Sequence, residues 1–279
     1  MDLVQRRLST GLRLAEVSDD PDQIATLLAA RAHLEATRQI HRNLGRFKAE
    51  VDTAEQALQH TVELFERIRT LGVQGATATQ TADTRAMLAQ EIGSKMEQIA
   101  GLAGTSIEGR YIFSGDADQT QPYTIDVTQT NPLSAYQGSA ATRQAQHPNG
   151  TTFAVARTAQ EIFDSTDPAS NVFGTINALR LALQANDEPA ILGAVAGLTA
   201  AGVHLNRQLA FYGTTQNKVA EALDFGATLE VQLAGQISSI ADADLTESIV
   251  ELNQEQLQQR ASLESWARIP RTTLFDYLG

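Results

Sequence analysis

The sequence has 279 residues, of which 42% are hydrophobic and only 5% aromatic, so a core is possible but a thick aromatic core is not. A formal net charge of −12, with scattered basic residues, excludes the positive field that nucleic acid or an anionic membrane requires. No cysteine is present, which excludes disulfides, thiolate metal sites and cysteine nucleophiles. No basic-then-apolar signal peptide opens the chain, and we expect no membrane-spanning stretch of about 20 apolar residues.

The N-terminal third predicts one long helix. Asp20 is a suitable cap, Pro21 fits the first helical position and Gln23 completes a box-like pattern. A helix from Pro21 to near Ala76 would be about 80 Å long at 1.5 Å per residue, which predicts an elongated rod. Two apolar rows with a seven-residue period indicate a seam packed against another helix. The rows are Leu44, Val51, Leu58 and Phe65, and beside them Phe47, Ala54, Thr61 and Ile68.

A glycine- and threonine-rich turn at 72–81 and a second helix around Ile92 and Ile99 predict an antiparallel hairpin. From Gly109 the pattern changes to short alternating runs, including Tyr123, Ile125 and Val127. The Asn149–Gly150 pair indicates a β-hairpin followed by a strand at 151–155. Residues 109–166 therefore predict a small β-rich insert.

Helical periodicity returns after Asn171, with a stripe at Ile176, Leu179 and Leu183. A further helix is expected from near Glu188, with Gly197 and Gly202 weakening its limits. A later heptad pattern predicts the partner seam, at Leu229, Leu233 and Ile240. Asp244, three residues before Glu247, predicts the cap of a last helical stretch.

The predicted fold is mainly α with a small β-rich insert, an elongated rod of antiparallel long helices from both chain ends. Its domains are an N-terminal helical arm at 1–108, the insert at 109–166, and a C-terminal helical arm with a terminal assembly helix at 167–279.

The sequence offers no arrangement of residues for catalysis, a cofactor or a metal. The five histidines form no ligand pattern, and the four in helical stretches are expected at the surface: His33, His41, His60 and His204. No phosphate-binding glycine loop or dinucleotide fingerprint occurs. Asp19–Asp20 and Asp242–Asp244 are better explained as helix caps than as cation ligands. We therefore predict a protein that is not an enzyme.

Several stretches together resemble the flagellin superfamily of bacterial flagellar subunits. At the N-terminal end these are residues 8–11 (LSTG), 18–21 (SDDP) and 65–76 (FERIRTLGVQGA). At the C-terminal end they are residues 213–217 (GTTQN) and 240–245 (IADADL), in the order that the family shows. Within the family, three segments favour a subunit that joins hook to filament: residues 109–115 (GRYIFSG), 136–138 (YQG) and 274–278 (LFDYL).

The resemblance implies an extracellular flagellar protein, exported unfolded and without a cleaved signal peptide. Its implied partners are further copies of itself, the adjacent hook-associated subunit and flagellin, and a flagellar export chaperone. Because the chain begins almost at the LSTG segment, we expect the family's first terminal helix to be missing. The apolar C-terminal end would then lack an intrachain partner and would serve subunit assembly, through Leu252, Leu257, Leu263, Trp266, Ile269, Leu274, Phe275, Tyr277 and Leu278.

Four alternatives remain open at this point. The C-terminal end could instead pack on this chain's own helices. The chain could be a filament flagellin. From another class of protein, it could be an intracellular helical scaffold, which would explain the heptads but not the insert. It could also be an enzyme, although no group of residues supports that function.

Overall fold

The computed structural model describes residues 2–14 and 20–267, which form two compact units. The terminal unit combines the chain up to Arg38 with the chain from Ala227 onward. The central unit comprises Gln39–Gly226. The prediction of three consecutive domains, with boundaries at 109 and 166, describes the order of elements along the chain and stays a prediction.

Helices dominate both units, as the sequence predicts. The helices are α1 (Asp2–Thr10), α2 (Pro21–Gly75), α3 (Ala82–Ala103), α4 (Ala159–Phe163), α5 (Val172–Gln184), α6 (Glu188–Ala241) and α7 (Leu245–Ala267). The strands are short: β1 (Ser106–Ile107), β2 (Arg110–Tyr111), β3 (Gln144–Gln146) and β4 (Thr152–Ala154). The expected class, mainly α with a small β-rich insert, is confirmed.

The ends of α2 and α3 follow local sequence signals. The Asp20 carboxylate accepts a hydrogen bond from the backbone N–H of Gln23 at 3.2 Å, as an N-cap does. The Thr81 hydroxyl caps α3 by accepting from Thr84 N–H at 3.2 Å. An ion pair of 3.2 Å between Arg67 and Glu91 joins the two helices.

The core of the central unit lies among α2, α3, α5, α6 and the insert. The predicted seam residues Leu44, Val51, Leu58, Phe65 and Ile68 are all buried there, and Phe47 is half-buried against them. The contact of α2 with α6 is close at Phe65, because a Cβ on Gly202 would lie only 3.2 Å from its ring. That these seam residues belong to one continuous seam along a rod stays a prediction.

The expectation that Gly197 and Gly202 limit a helix was wrong, because α6 runs through both for 54 residues. Glycine costs about 1 kcal/mol in a helix, but the absent side chain of Gly202 makes room for Phe65. The expectation of no membrane-length apolar stretch was also wrong. An 18-residue window of α6 has a mean hydropathy of 1.3. By length and composition alone, this stretch is apolar enough to cross a membrane. Ile191, Leu198 and Leu205 on this helix are buried core residues.

Two antiparallel hairpins are formed: β1–β2, whose first strand precedes residue 109, and β3–β4 within the insert. The second is the hairpin predicted from Asn149–Gly150: Gly150 N–H donates to His147 O at 2.9 Å, and Gly150 adopts a φ of 92°. The alternating run at Tyr123, Ile125 and Val127 does not form a strand; only an isolated bridge joins Ile125 to Leu133. The helix α4, with its Thr158–Glu161 capping box, was not predicted.

The terminal unit has a thin core. Leu14, Leu27 and Ala241 are buried together, and Leu12, Ile24, Ile237 and Ile240 pack against them. The predicted seam residue Leu233 is buried, whereas Leu229 and Ile240 are half-buried.

Candidate assembly surface

Two motif segments from opposite ends of the sequence meet in the terminal unit. Arg13 N–H and Leu14 N–H both donate to Ala241 O, at 2.7 and 3.2 Å, and Ala243 N–H donates to Gly11 O at 2.9 Å. We call this the 12–14/241–243 clamp, after the two backbone segments that it joins. Through Gly11 O, the clamp brings the end of the LSTG segment next to the IADADL segment.

The Arg13 side chain reinforces the clamp. One guanidinium nitrogen donates to Ile240 O at 2.7 Å and to the Gln23 side chain at 2.6 Å, and Asp20 lies 3.9 Å away. Gln23 therefore does not complete the capping box predicted with Asp20, since its side-chain oxygen binds Arg13 instead. The guanidinium thereby ties the start of α2 to the end of α6.

Asp244 starts α7 directly after the clamp, as predicted. Its carboxylate accepts from Glu247 N–H at 3.2 Å and from Thr246 N–H at 2.8 Å. These backbone hydrogen bonds, that of Glu247 first, hold the pKa of Asp244 below its ordinary value. The cap fixes the direction in which α7 leaves the clamp.

One face of α7 packs against α1. Arg7 of α1 forms a 3.6 Å ion pair with Glu251 of α7, and Val4 and Ser248 are buried. The first part of α7 therefore has an intrachain partner, because residues 2–10 form a helix, whereas the assembly role expected for the residues from Leu252 onward stays a prediction. The sequence analysis missed α1 because its apolar positions are few.

The far part of α7 leaves large apolar side chains exposed. Of the predicted assembly residues, Trp266 is 77%, Leu257 69% and Leu263 64% exposed, and Leu252 is half-buried. Ile269, Leu274, Phe275, Tyr277 and Leu278 lie outside the described residues. The terminal unit also exposes apolar residues that the sequence analysis did not name: Leu3, Leu28, Val231, Leu245, Ile249 and Val250. In the sequence these residues could have been recognised as apolar residues that do not belong to the predicted seam.

Two sequence motifs of the insert also meet, within the central unit. The Tyr136 hydroxyl donates to Phe113 O at 3.1 Å and to Ser139 O at 3.2 Å, and Ser139 N–H donates to Ser114 O at 2.9 Å. A side chain on Gly138 would collide with the Tyr136 hydroxyl. The YQG motif therefore serves to hold the GRYIFSG segment in place.

Aromatic rings concentrate around that junction, although the sequence is poor in them. Edge-on contacts join Phe113 to Phe163 at 6.1 Å and Phe113 to Tyr212 at 6.3 Å, and Tyr123 packs on Tyr136 at 5.6 Å. Burial raises the pKa of Tyr136 to about 12 and also raises the pKa of Tyr123 and of Tyr212. This cluster is an anchor for the insert and not a reactive site.

Buried polar side chains were the residues that sequence reasoning missed. Arg85 is 5% exposed and donates to Gly75 O at 2.9 Å, Thr77 O at 3.3 Å and the Asn186 side chain at 2.7 Å. Arg180 donates to Val127 O at 3.0 Å and Gln129 O at 2.9 Å, which fixes an insert loop.

The expectation of a surface position was wrong for His204. It is buried, with Nε2 lying 3.0 Å from Glu161 O. The helical sequence around His204 does not reveal that α4 packs over its side chain. Among residues 2–14 and 20–267, no three acidic or histidine side chains group as metal ligands.

Family comparison follows the same two ends of the chain. The bacterial flagellin N-terminal helical region matches residues 1–118, and the flagellin C-terminal helical region matches residues 195–278. The chain belongs to the bacterial flagellin family. The two matched regions contain both halves of the clamp, together with α1 and α7.

Individual relatives agree with this assignment. The chain is 24% identical to flagellar hook-associated protein 3 of Escherichia coli, over 96% of this chain and 90% of that protein. Its likeness to flagellin B of Helicobacter pylori, at 27% identity, covers half of this chain but only 27% of that longer protein. The solved flagellar hook-associated protein-3 of Legionella pneumophila shares the fold, with a TM-score of 0.66, 13% identity and coverage of 76% of this chain and 98% of that one. The flagellin-like fold class is thereby confirmed.

Proposed function

We propose that this chain is a structural subunit of the bacterial flagellum that joins hook to filament by assembly through its terminal helices. The observation that carries the proposal is α7, which is paired with α1 on one face while Leu257, Leu263 and Trp266 remain largely exposed. The full-length likeness to a hook-associated protein 3 supports the junction position.

The energetic argument rests on that exposed apolar surface. Burial of one large apolar side chain contributes about 1.5–3 kcal/mol. Three such side chains provide a substantial driving force, from which the ordering costs of association are subtracted. A subunit in solution that shows these groups to water gains most by packing them on a neighbour.

The proposal includes the partners and the place of action. Further copies of the chain, the adjacent hook-associated subunit and flagellin would cover the terminal unit in the flagellum, outside the cell. Before export, a flagellar chaperone would cover the same apolar residues, and export would proceed without a cleaved signal peptide. No catalytic step, cofactor, nucleic acid or membrane is part of the proposal.

A filament flagellin is the second candidate, favoured by the likeness to flagellin B across half of the chain. Immunogold electron microscopy of intact flagella separates the two. Label confined to the boundary of hook and filament supports the junction role, and label along the filament supports the flagellin role. Label found only inside cells contradicts both.

Truncation tests the assembly mechanism. Removal of residues 263–279 is expected to leave the helical units folded and to abolish incorporation into flagella. The finer variant combines Leu257→Ser, Leu263→Ser and Trp266→Ser, and its matched control is Val203→Ser, an exposed apolar residue of α6 in the central unit. Normal incorporation of the triple variant contradicts the mechanism, as does an equal loss in the control.

A further inference from the structure

A groove of about 430 Å³ opens in the central unit between α2 and the β3 strand. Its apolar wall consists of Ile40, Leu44 and Phe47, and its polar wall includes Arg110 and Arg143. Both arginines are tied to Glu50, which lies 3.6 Å from Arg110 and 3.0 Å from Arg143. The groove therefore has an apolar floor beneath a rim held in a fixed position.

The rim is basic in a chain that is otherwise strongly acidic. Arg46, Arg110 and Arg143 line the groove; Glu50 is the carboxylate among the lining residues, and Asp118 lies 3.9 Å from Arg110. On α2, the stretch from residue 36 to 49 contains no acidic residue, and Arg42 and Lys48 add positive charge beside Arg46. The groove is suited to an apolar projection that carries acidic groups.

The region around the α2–α3 turn of the same unit combines exposed apolar residues with acidic ones. Here α2 ends, α3 begins and α6 begins, and the Arg85 guanidinium bonds to Gly75 O, Thr77 O and the Asn186 side chain. Met87 and Leu192 are 67% and 54% exposed within two turns of these helix starts, and Val73 is 54% exposed on the last turn of α2. We call this region the tip.

The tip carries the charge that the groove lacks. Asp83 and Asp187 are exposed, and the Glu188 side chain is 46% exposed. Arg85, the basic residue between them, is buried and lies 3.9 Å from the Glu188 carboxylate, so Asp83 and Asp187 are the acidic groups of the tip outside this ion pair. From Ile40 to Val73 the single helix α2 rises about 50 Å, so groove and tip are far apart on one unit and cannot satisfy each other.

We propose that the tip of one copy docks into the groove of a second copy, with Met87 and Val73 over Phe47 and with Asp83 facing Arg46. The proposal rests on the self-association proposed above and assigns it a second contact, in the central unit. Such a contact joins two different surfaces, so it repeats from copy to copy and forms a ring or a helical row.

Disulfide trapping tests the contact in the full-length chain, which has no cysteine of its own. The variant carries Gln146→Cys on the groove and Met87→Cys on the tip, both at exposed positions. Mild oxidation is expected to give a ladder of covalent oligomers on a denaturing gel, whereas each single-cysteine variant stops at dimers. The matched control, Gln146→Cys with Val203→Cys, is expected to give no ladder.

Sedimentation of the same samples keeps the two proposals apart. Oligomers in solution without a ladder overturn the tip–groove contact and leave the terminal-unit mechanism intact. A protein that stays monomeric at every concentration, without a ladder, overturns both. A ladder equally strong in the Val203 control also overturns the contact, because it shows random collision.

Charge exchange gives a second readout without cysteine. Arg46→Glu or Asp83→Lys alone is expected to raise the concentration for half-maximal association about fivefold, since each places like charges together. The combined variant is expected to restore the original value. Failure of the combined variant to recover, while both singles fold by circular dichroism, overturns the pairing of these two residues.

Discussion

The central unit and the terminal unit differ in how much of their apolar surface they satisfy internally. In the central unit, long helices and the insert share one extensive core, in which Phe65, Phe113 and Tyr212 are fully buried. In the terminal unit, only Leu14, Leu27 and Ala241 are buried together, while side chains as large as Trp266 face water. The central unit buries an extensive core of its own, whereas the terminal unit has a thin core and the exposed apolar surface of a component that requires neighbours.

The largest effect is expected for Phe65→Asp, which disrupts the core of the central unit. A carboxylate would replace a buried ring at the contact with Gly202, and we expect a loss of roughly 4 kcal/mol or more in the free energy of unfolding. Thermal and urea unfolding followed by circular dichroism measures it. Val203→Asp on exposed α6 surface is the control, expected to cost no more than about 0.5 kcal/mol. A loss below about 1 kcal/mol for Phe65→Asp would contradict the burial.

Arg85→Met should weaken the tip by a smaller amount. The substitution keeps much of the buried stem but leaves Gly75 O, Thr77 O and the Asn186 side chain without their donor, at a cost of about 2–3 kcal/mol. Urea unfolding measures the loss, and hydrogen exchange should show faster exchange at residues 76–81. Arg85→Lys retains a single donor nitrogen, which cannot reach all three acceptors, so its stability should fall between those of the other two proteins. Equal stability of all three would contradict the role.

Alkali distinguishes the two units further. Burial raises the pKa of Tyr136 to about 12 and raises those of Tyr123 and Tyr212, so their neutral forms favour the folded central unit. That contribution is complete below the unfolded tyrosine pKa of about 10 and is lost as pH rises through the folded values. The tyrosinate absorbance of these three side chains should therefore appear together with unfolding. Ionisation of all tyrosines near pH 10 in a folded protein would disprove it.

Acid should act, with the smallest effect, on the terminal unit. The pKa of Asp244 is lowered by its cap hydrogen bonds, so its contribution is present above the unfolded value of about 4 and is lost as pH falls through the lowered folded value. Unfolding curves of the protein and of Asp244→Ala should differ at pH 6 and converge at the acid end. A difference that does not change with pH would show that the charge has no role.

The comparison also explains which features the sequence could predict. The start of α2 at Pro21, its end at Gly75 and the cap at Asp244 depend on neighbouring residues, and all three were predicted correctly. The continuity of α6 through Gly202 was not predictable in this way, because a residue far along the chain, Phe65, fills the space.

The remaining errors have the same physical origin. Burial of Arg85, Arg180 and His204 depends on carbonyl groups supplied by distant segments, and no periodic pattern encodes those partners. The Tyr123 run alternates like a strand, but Tyr123 packs on Tyr136 and Phe173, and Ile125 has only an isolated bridge to Leu133. In the candidate assembly surface, apolar content was readable from the sequence, whereas the pairing of α7 with α1 was not.

The 12–14/241–243 clamp has a consequence for the order in which the protein folds. Arg13 and Ile240 are separated by 227 positions, so the terminal unit consists of contacts between the first and last parts of the chain. In a chain that emerges from its N-terminus, the helices of the central unit can form while residues 241–243, the second segment of the clamp, are still missing. The clamp cannot close before residues 241–243 are present, and α7 follows them along the chain. The surface proposed for assembly therefore depends on segments that are made after those of the central unit.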